Sequence, residues 1–136
     1  MEFQSKDVKL VKLEWLKPHE EIHEKKVDEL YKMTLKWGGY TKPLLVDNNS
    51  GTILDGHHRY EVGKMLSLKY LPAILTDYLI DERIKVTTWP NSEEKDINKE
   101  DVIKMALSGD LFPPKTSRHQ ISEYLPPIMV KLEDLR

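Results

Sequence analysis

Two periodicities run along the chain. Val27, Leu30, Tyr31 and Leu35, with Met33 beside them, recur at helical spacing behind early acidic residues, which predicts a helix over 21–36 closed by Gly38-Gly39. A second helix is expected at 58–66, with Tyr60, Val62 and Met65 among its bulkier residues. A third spans 99–108, carries Val102, Ile103, Met105, Ala106 and Leu107, and stops at Gly109. Short apolar or alternating runs predict strands at 8–16, 43–47, 52–54, 70–75 and 86–89. The first runs into a turn at Lys17-Pro18-His19, and Asn48-Asn49-Ser50-Gly51 is a hairpin turn between the next two. A polar, charge-rich connection covers 91–98. The tail from 111 to 136, punctuated by Pro113, Pro114, Pro126 and Pro127, is expected to lie extended over the core. Strands and helices mixed in this way over 136 residues predict one α/β domain, 1–136, with a small mixed β-sheet and helices packed against it.

Composition narrows the chemistry. The chain has no cysteine, which removes thiol nucleophiles, thiolate zinc sites, disulfide exchange and sulfenic acid chemistry. No window approaches the roughly 20 apolar residues of a membrane span, and the first residues show no basic patch with an apolar run, so a cytoplasmic protein without membrane contact is expected. Lys and Arg number 21 against 23 Asp and Glu, so no global field favours nucleic acid and any phosphate site must be a local cluster.

Three clusters stand out. In the first, the strand Ile53-Leu54 ends in Asp55-Gly56-His57-His58-Arg59 where a helix is expected to start. Outward-pointing helix amides, a glycine that permits close approach and a guanidinium fork suit phosphate oxygens. Asp55 would then stand beside the phosphates, placed to hold Mg2+ or its water shell, or to orient a nucleophile. A plain helix cap with exposed histidines is the alternative. The second cluster, Phe112-Pro113-Pro114-Lys115-Thr116-Ser117-Arg118-His119, sets two cations, two hydroxyls and an imidazole behind a stiff proline pair, as in a rigid binding loop or a solvated basic turn. The third, Pro18-His19-Glu20-Glu21-Ile22-His23-Glu24, is expected at the start of the first helix. Acids belong there for dipole reasons alone, yet Glu20 or Glu21 could serve as a general base. His19 and His23 lie four apart, but no His-Glu-x-x-His order is present to support zinc. Trp89, before Pro90 at a strand end, suits a core edge or the rim of a site.

At these residues the sequence resembles the ParB/sulfiredoxin superfamily, whose strand-to-helix junction binds nucleotide phosphates. His57 stands where the sulfiredoxin cysteine would be, which excludes sulfinic acid reduction, and no DNA-reading helix pair of the ParB type is evident. The chain is most similar to the archaeal-type free L-serine kinases, through Pro18-His19-Glu20-Glu21, Asp55-Gly56-His57-His58-Arg59, Thr88-Trp89 and Lys115-Thr116-Ser117-Arg118-His119. That resemblance implies transfer of the terminal phosphoryl group of ATP or ADP to the hydroxyl of free L-serine, giving O-phosphoserine for cysteine biosynthesis. It implies Glu20 or Glu21 as base, an essential Asp55, Trp89 against the serine, and the late basic stretch on substrate or phosphate. The alternative is a ParB-like nucleotide-binding regulatory or DNA-associated module, although the charge balance makes nucleic acid an unexpected partner.

Overall fold

The computed structural model describes residues 2–90 and 96–136. The chain runs through β1 (Val8–Lys12), α1 (Glu24–Trp37), β2 (Gly39–Tyr40), β3 (Leu44–Asp47), β4 (Ile53–Asp55), α2 (His57–Met65), β5 (Tyr70–Thr76), β6 (Ile84–Thr88), α3 (Lys99–Ser108), β7 (Ser117–Ile121) and β8 (Val130–Lys131). A four-stranded sheet has the order β1-β5-β3-β4. β3 runs parallel to β5 while β1–β5 and β3–β4 are antiparallel, so the sheet is mixed. Two ribbons, β2-β8 and β6-β7, accompany it.

Successive strand residues point to opposite faces, and both faces of this sheet are covered. Leu44, Val46, Leu71 and Ala73 join Val11, Leu16, Tyr60, Leu132 and Leu135 in one core. Leu45 and Ile74, their neighbours in sequence, join Phe3, Leu54, Tyr78, Ile84 and Val102 in the other. Burial on both faces explains why β3 reads as an unbroken apolar run rather than an alternating one.

Several boundaries move from those the sequence suggests. Residues 8–16 are not one strand: β1 ends at Lys12 and a 3-10 turn takes Leu13–Trp15. Helix α1 starts at Glu24, not at 21. Residues 19–21 cannot join it because their backbone is engaged elsewhere: Phe112 donates to the His19 carbonyl at 2.8 Å and Glu21 donates to the Phe112 carbonyl at 2.8 Å. The helix ends where expected, with Gly38 left-handed at φ 77°. Helix α3 matches its predicted span, Asn98 capping the amide of Asp101. The tail is less irregular than its prolines suggest, since β7 pairs with β6 from Thr88↔Ser117 to Ile84↔Ile121 and β8 pairs with β2. The late basic stretch is therefore half turn and half strand rather than a loop. Of the polar connection, residues 91–95 lie outside the described residues.

Candidate active site

Sheet topology brings the three sequence clusters to one place. The junction of β4 with α2 lies beside the chain preceding α1, and the bridge between Glu20 and Phe112 pulls in the turn before β7. Between them is a cleft of about 500 Å³. All five histidines of the chain line it, together with Glu20, Glu21, Asp55, Gly56, Trp89, Lys115, Ser117 and Arg118.

The two candidate bases separate clearly. Glu21 is exposed at the rim. Glu20 is half-buried and its Oε1 accepts three hydrogen bonds, from the Ser117 amide at 2.7 Å, the Ser117 hydroxyl at 2.8 Å and the Thr116 amide at 3.2 Å. Lys115, left-handed at φ 59°, turns the chain so that these successive amides face one oxygen. Burial pushes the Glu20 carboxyl above the ordinary glutamate range, and the Ser117 and Thr116 bonds oppose that rise without cancelling it. A carboxylate fixed in direction and made more basic is what proton abstraction from a hydroxyl requires.

The opposite wall is the β4–α2 turn. Gly56 caps α2 with φ 115°, and a Cβ there would come within 2.7 Å of Leu44 Cγ, so a side chain is excluded on both grounds. His57 lines the cleft, but its Nε2 accepts the His19 amide at 3.2 Å, so the ring ties two walls together. His58 does the same more loosely, Nε2 accepting the His23 amide at 3.4 Å. Burial and neighbouring cations or imidazoles hold both rings below the ordinary histidine range, hence neutral at pH 7. A phosphate here would meet α2 amides rather than imidazolium charge.

Two expected ligand residues are placed differently. Arg59 does not line the cleft: its Nη2 donates to the Pro43 carbonyl at 3.1 Å and lies 3.5 Å from Asp55 Oδ2. It reaches back across the β4–α2 turn to stand behind Asp55 and orients that carboxylate together with Lys42, 4.0 Å from the same oxygen. The Thr116 hydroxyl also turns from the cleft, donating to the Pro113 carbonyl at 2.7 Å. Ser117, Lys115, Arg118, His119 and Trp89 are brought together. Trp89 is pinned by its indole N–H to the Ser117 carbonyl at 3.2 Å, with the Arg118 guanidinium 5.0 Å and the Lys115 ammonium 6.0 Å from its ring. His119 accepts or donates at 2.8 Å to the Tyr78 hydroxyl.

Sequence reasoning missed Lys26 as a lining residue and weighed His19 and His23 only as metal ligands. Their one signal was spacing: Lys26 follows His23 by three, one turn along α1. Among the described residues, no group of three or more His, Asp or Glu could hold a metal ion.

The fold recurs in a solved structure described as free serine kinase in complex with AMP, with TM-score 0.87 at 19% identity, over 100% of this chain and 96% of that one. It recurs in C-terminally truncated SbnI from Staphylococcus aureus, with TM-score 0.75 at 12% identity, over 94% of this chain and 88% of that one. The chain thus shares its fold with these two proteins. Its named relatives in sequence are mainly L-serine kinases. It is 31% identical over 97 residues to the ADP-dependent L-serine kinase SerK of Thermococcus kodakarensis, covering 68% of this chain and 40% of that protein. It is 35% identical over 94 residues to an ATP-dependent L-serine kinase of Staphylothermus marinus, covering 66% and 37%. It is also 35% identical over 102 residues to a ParB-like protein of Sulfolobus acidocaldarius, covering 71% and 50%. The chain thus spans half or less of the length of these relatives. No family model matches.

Proposed function

We propose that this chain is a free serine kinase, moving the terminal phosphoryl group of ATP or ADP to the hydroxyl of L-serine. The product is O-phosphoserine, made in the cytoplasm for cysteine synthesis. One observation carries the reading: Glu20, its Oε1 fixed by Thr116 and Ser117 and its carboxyl made more basic by burial, faces the same cleft as Asp55 and the α2 N-terminus. The named kinase relatives agree with it.

In this reading the nucleotide lays its phosphates against the amides at the start of α2, where the helix dipole favours negative charge and Gly56 allows close approach. Serine sits toward Trp89, with Lys115 or Arg118 on its carboxylate. Glu20 takes the proton as the serine hydroxyl oxygen attacks the terminal phosphorus. The bond from that phosphorus to the bridging oxygen breaks, and the shortened nucleotide leaves. Asp55 fits a magnesium ion because it is part-exposed and lines the cleft. With no protein set of three ligands among the described residues, the ion would take its other ligands from phosphate and water, as magnesium ordinarily does. Bound there, it would neutralise phosphate charge. Binding and orientation supply the rest, since phosphoryl transfer asks little covalent chemistry of a protein.

The test is phosphoserine formation followed by mass spectrometry, with L-serine, magnesium and ATP or ADP in parallel. The wild type should form product with at least one donor, and Glu20→Gln and Asp55→Asn should reduce it at least about 100-fold. Nucleotide binding without product from either donor would move the assignment to the ParB-like regulatory alternative. Salt-sensitive DNA binding would then be looked for.

A further inference from the structure

Behind the cleft lies a fully buried phenol that the chemistry above does not use. Tyr78 follows β5, and two other elements fix its backbone. Its amide donates to Oδ1 of Asp47, the last residue of β3, at 3.1 Å. Its carbonyl accepts the Lys99 ammonium from the start of α3 at 2.7 Å, and that ammonium also stands 5.0 Å from the centre of its ring. The hydroxyl reaches β7, where it lies 2.8 Å from His119 Nε2.

His119 belongs to the Glu20 end of the cleft. Alternate residues of a strand share a face, so its side chain lies on the side of β7 that carries Ser117, whose hydroxyl is bonded to Glu20. Burial, and then His57, draw the His119 pKa down to about 3, so at pH 7 the ring is neutral and carries a single N–H. Tyr78 decides which nitrogen holds it. Burial raises the phenol above its ordinary range, so the hydroxyl keeps its proton, and His119 is its one hydrogen-bond partner among the described residues. Were Nε2–H the donor, the phenolic proton would be buried without an acceptor; with Tyr78 donating to Nε2, that proton is placed and only an oxygen lone pair stays unused. The network thus assigns the ring proton to Nδ1. Nδ1 has no partner among the described residues and is not enclosed, so it opens on the cleft that the ring lines.

Resting on the kinase reading, which sets the late basic stretch against substrate, we propose that Tyr78 is a positioning residue: its hydroxyl locks His119 as the Nδ1–H tautomer and so presents a neutral N–H donor to the carboxylate of the bound serine, beside Lys115 or Arg118. A carboxylate only accepts hydrogen bonds, and the other tautomer would set a lone pair against it. Without the phenol the ring is free to take that Nε2–H form, because the bond at one nitrogen is what fixes the proton on the other.

Two-bond proton–nitrogen correlation spectra of histidine-labelled protein at pH 7 read the tautomer directly, with His119→Asn to assign the signal. The wild type should show His119 as Nδ1–H, and Tyr78→Phe, which keeps the ring and removes only the hydroxyl, should shift it toward Nε2–H. An Nε2–H ring in the wild type, or a tautomer that Tyr78→Phe leaves unchanged, would overturn the proposal. L-Serine titrated into each protein should bind about tenfold more weakly to Tyr78→Phe, as expected for one hydrogen bond to a charged group, while ADP binding changes less than about twofold. In the His119→Asn background, where an amide N–H stands in for Nδ1–H and has no tautomer to lose, Tyr78→Phe should weaken serine less than about twofold. Equal tenfold losses in both backgrounds would mean that the hydroxyl acts through packing alone and would overturn the proposal. In turnover, Tyr78→Phe should raise the serine KM about tenfold with kcat held within about twofold. If the tautomer and serine binding follow this pattern but the wild type makes no phosphoserine, the kinase reading fails and the role of Tyr78 stands. If phosphoserine forms but His119 is Nε2–H, the kinase reading stands and the role of Tyr78 fails. A wild type that neither binds serine nor phosphorylates it would overturn both.

Discussion

Lowering the pH from 7 to 5 is expected to cost stability through one buried imidazole. His19 packs against the rings of His57, Phe112 and His119 at centroid distances of 4.5, 6.5 and 5.5 Å. Burial, and then the neighbouring His119, pull its pKa from 6.5 to about 3. In the unfolded chain the ring takes its proton near pH 6.5, whereas folded it stays neutral until about pH 3. Across that window the unfolded state binds more protons, so stability present above the unfolded pKa is lost as pH falls. Between pH 7 and pH 5 the integral for this single group is about 2 kcal/mol, against a total domain stability of roughly 5–15 kcal/mol. Urea unfolding of the wild type and His19→Phe at both pH values, followed by tryptophan fluorescence, measures it. Phenylalanine keeps the ring and has nothing to protonate. The wild type should lose about 2 kcal/mol more than the variant over that interval. His119, also drawn to about 3 by burial and by His57, is present in both proteins and largely cancels. Equal pH slopes in the two would refute the argument.

The remaining predictions concern the two walls of the cleft. Because the Glu20 pKa is raised and the base must be ionised, the acidic limb of the kcat profile should lie above the ordinary glutamate range, and a limb at or below it would contradict the assignment. For the same reason ionised Glu20 costs stability at neutral pH, so Glu20→Gln should unfold at the same or a higher urea concentration than the wild type while losing turnover. Gly56→Ala would have to hold φ 115° and place a Cβ within 2.7 Å of Leu44 Cγ; a loss of about 1–3 kcal/mol in urea unfolding is expected, and an unchanged midpoint would refute the strain. Arg59→Met removes the donor to Pro43 and the partner of Asp55, so stability and kcat should fall together. A weaker nucleotide Kd with unchanged stability would instead mean that Arg59 touches phosphate directly.

Much of the architecture was legible in local order. The 3.6-residue spacing of Val27, Leu30 and Tyr31, the cap Asn98 and the stop Gly109 are effects of near neighbours, and they set α1 and α3 to within a few residues. The Asp55-Gly56-His57-His58-Arg59 junction could likewise be read, because a glycine between an apolar strand and a helix has few other uses. Identity of side chains also confined the chemistry, since a chain without cysteine has no thiol to offer.

Other features depend on contacts between residues far apart in sequence. Nothing near Glu20 and Glu21 distinguishes them; the amides of Thr116 and Ser117, some 96 and 97 residues away, do so by gripping one and leaving the other in solvent. Arg59, expected on phosphate, donates from Nη2 to the Pro43 carbonyl and lies outside the cleft lining, and Lys26 enters that lining only because α1 comes to rest beside α2. Sequence determined which groups this protein could bring to a reaction, because side-chain chemistry and short-range spacing are local. Tertiary structure alone decided which of them meet, because desolvation and hydrogen-bond partnership are set by chain segments that only folding brings together.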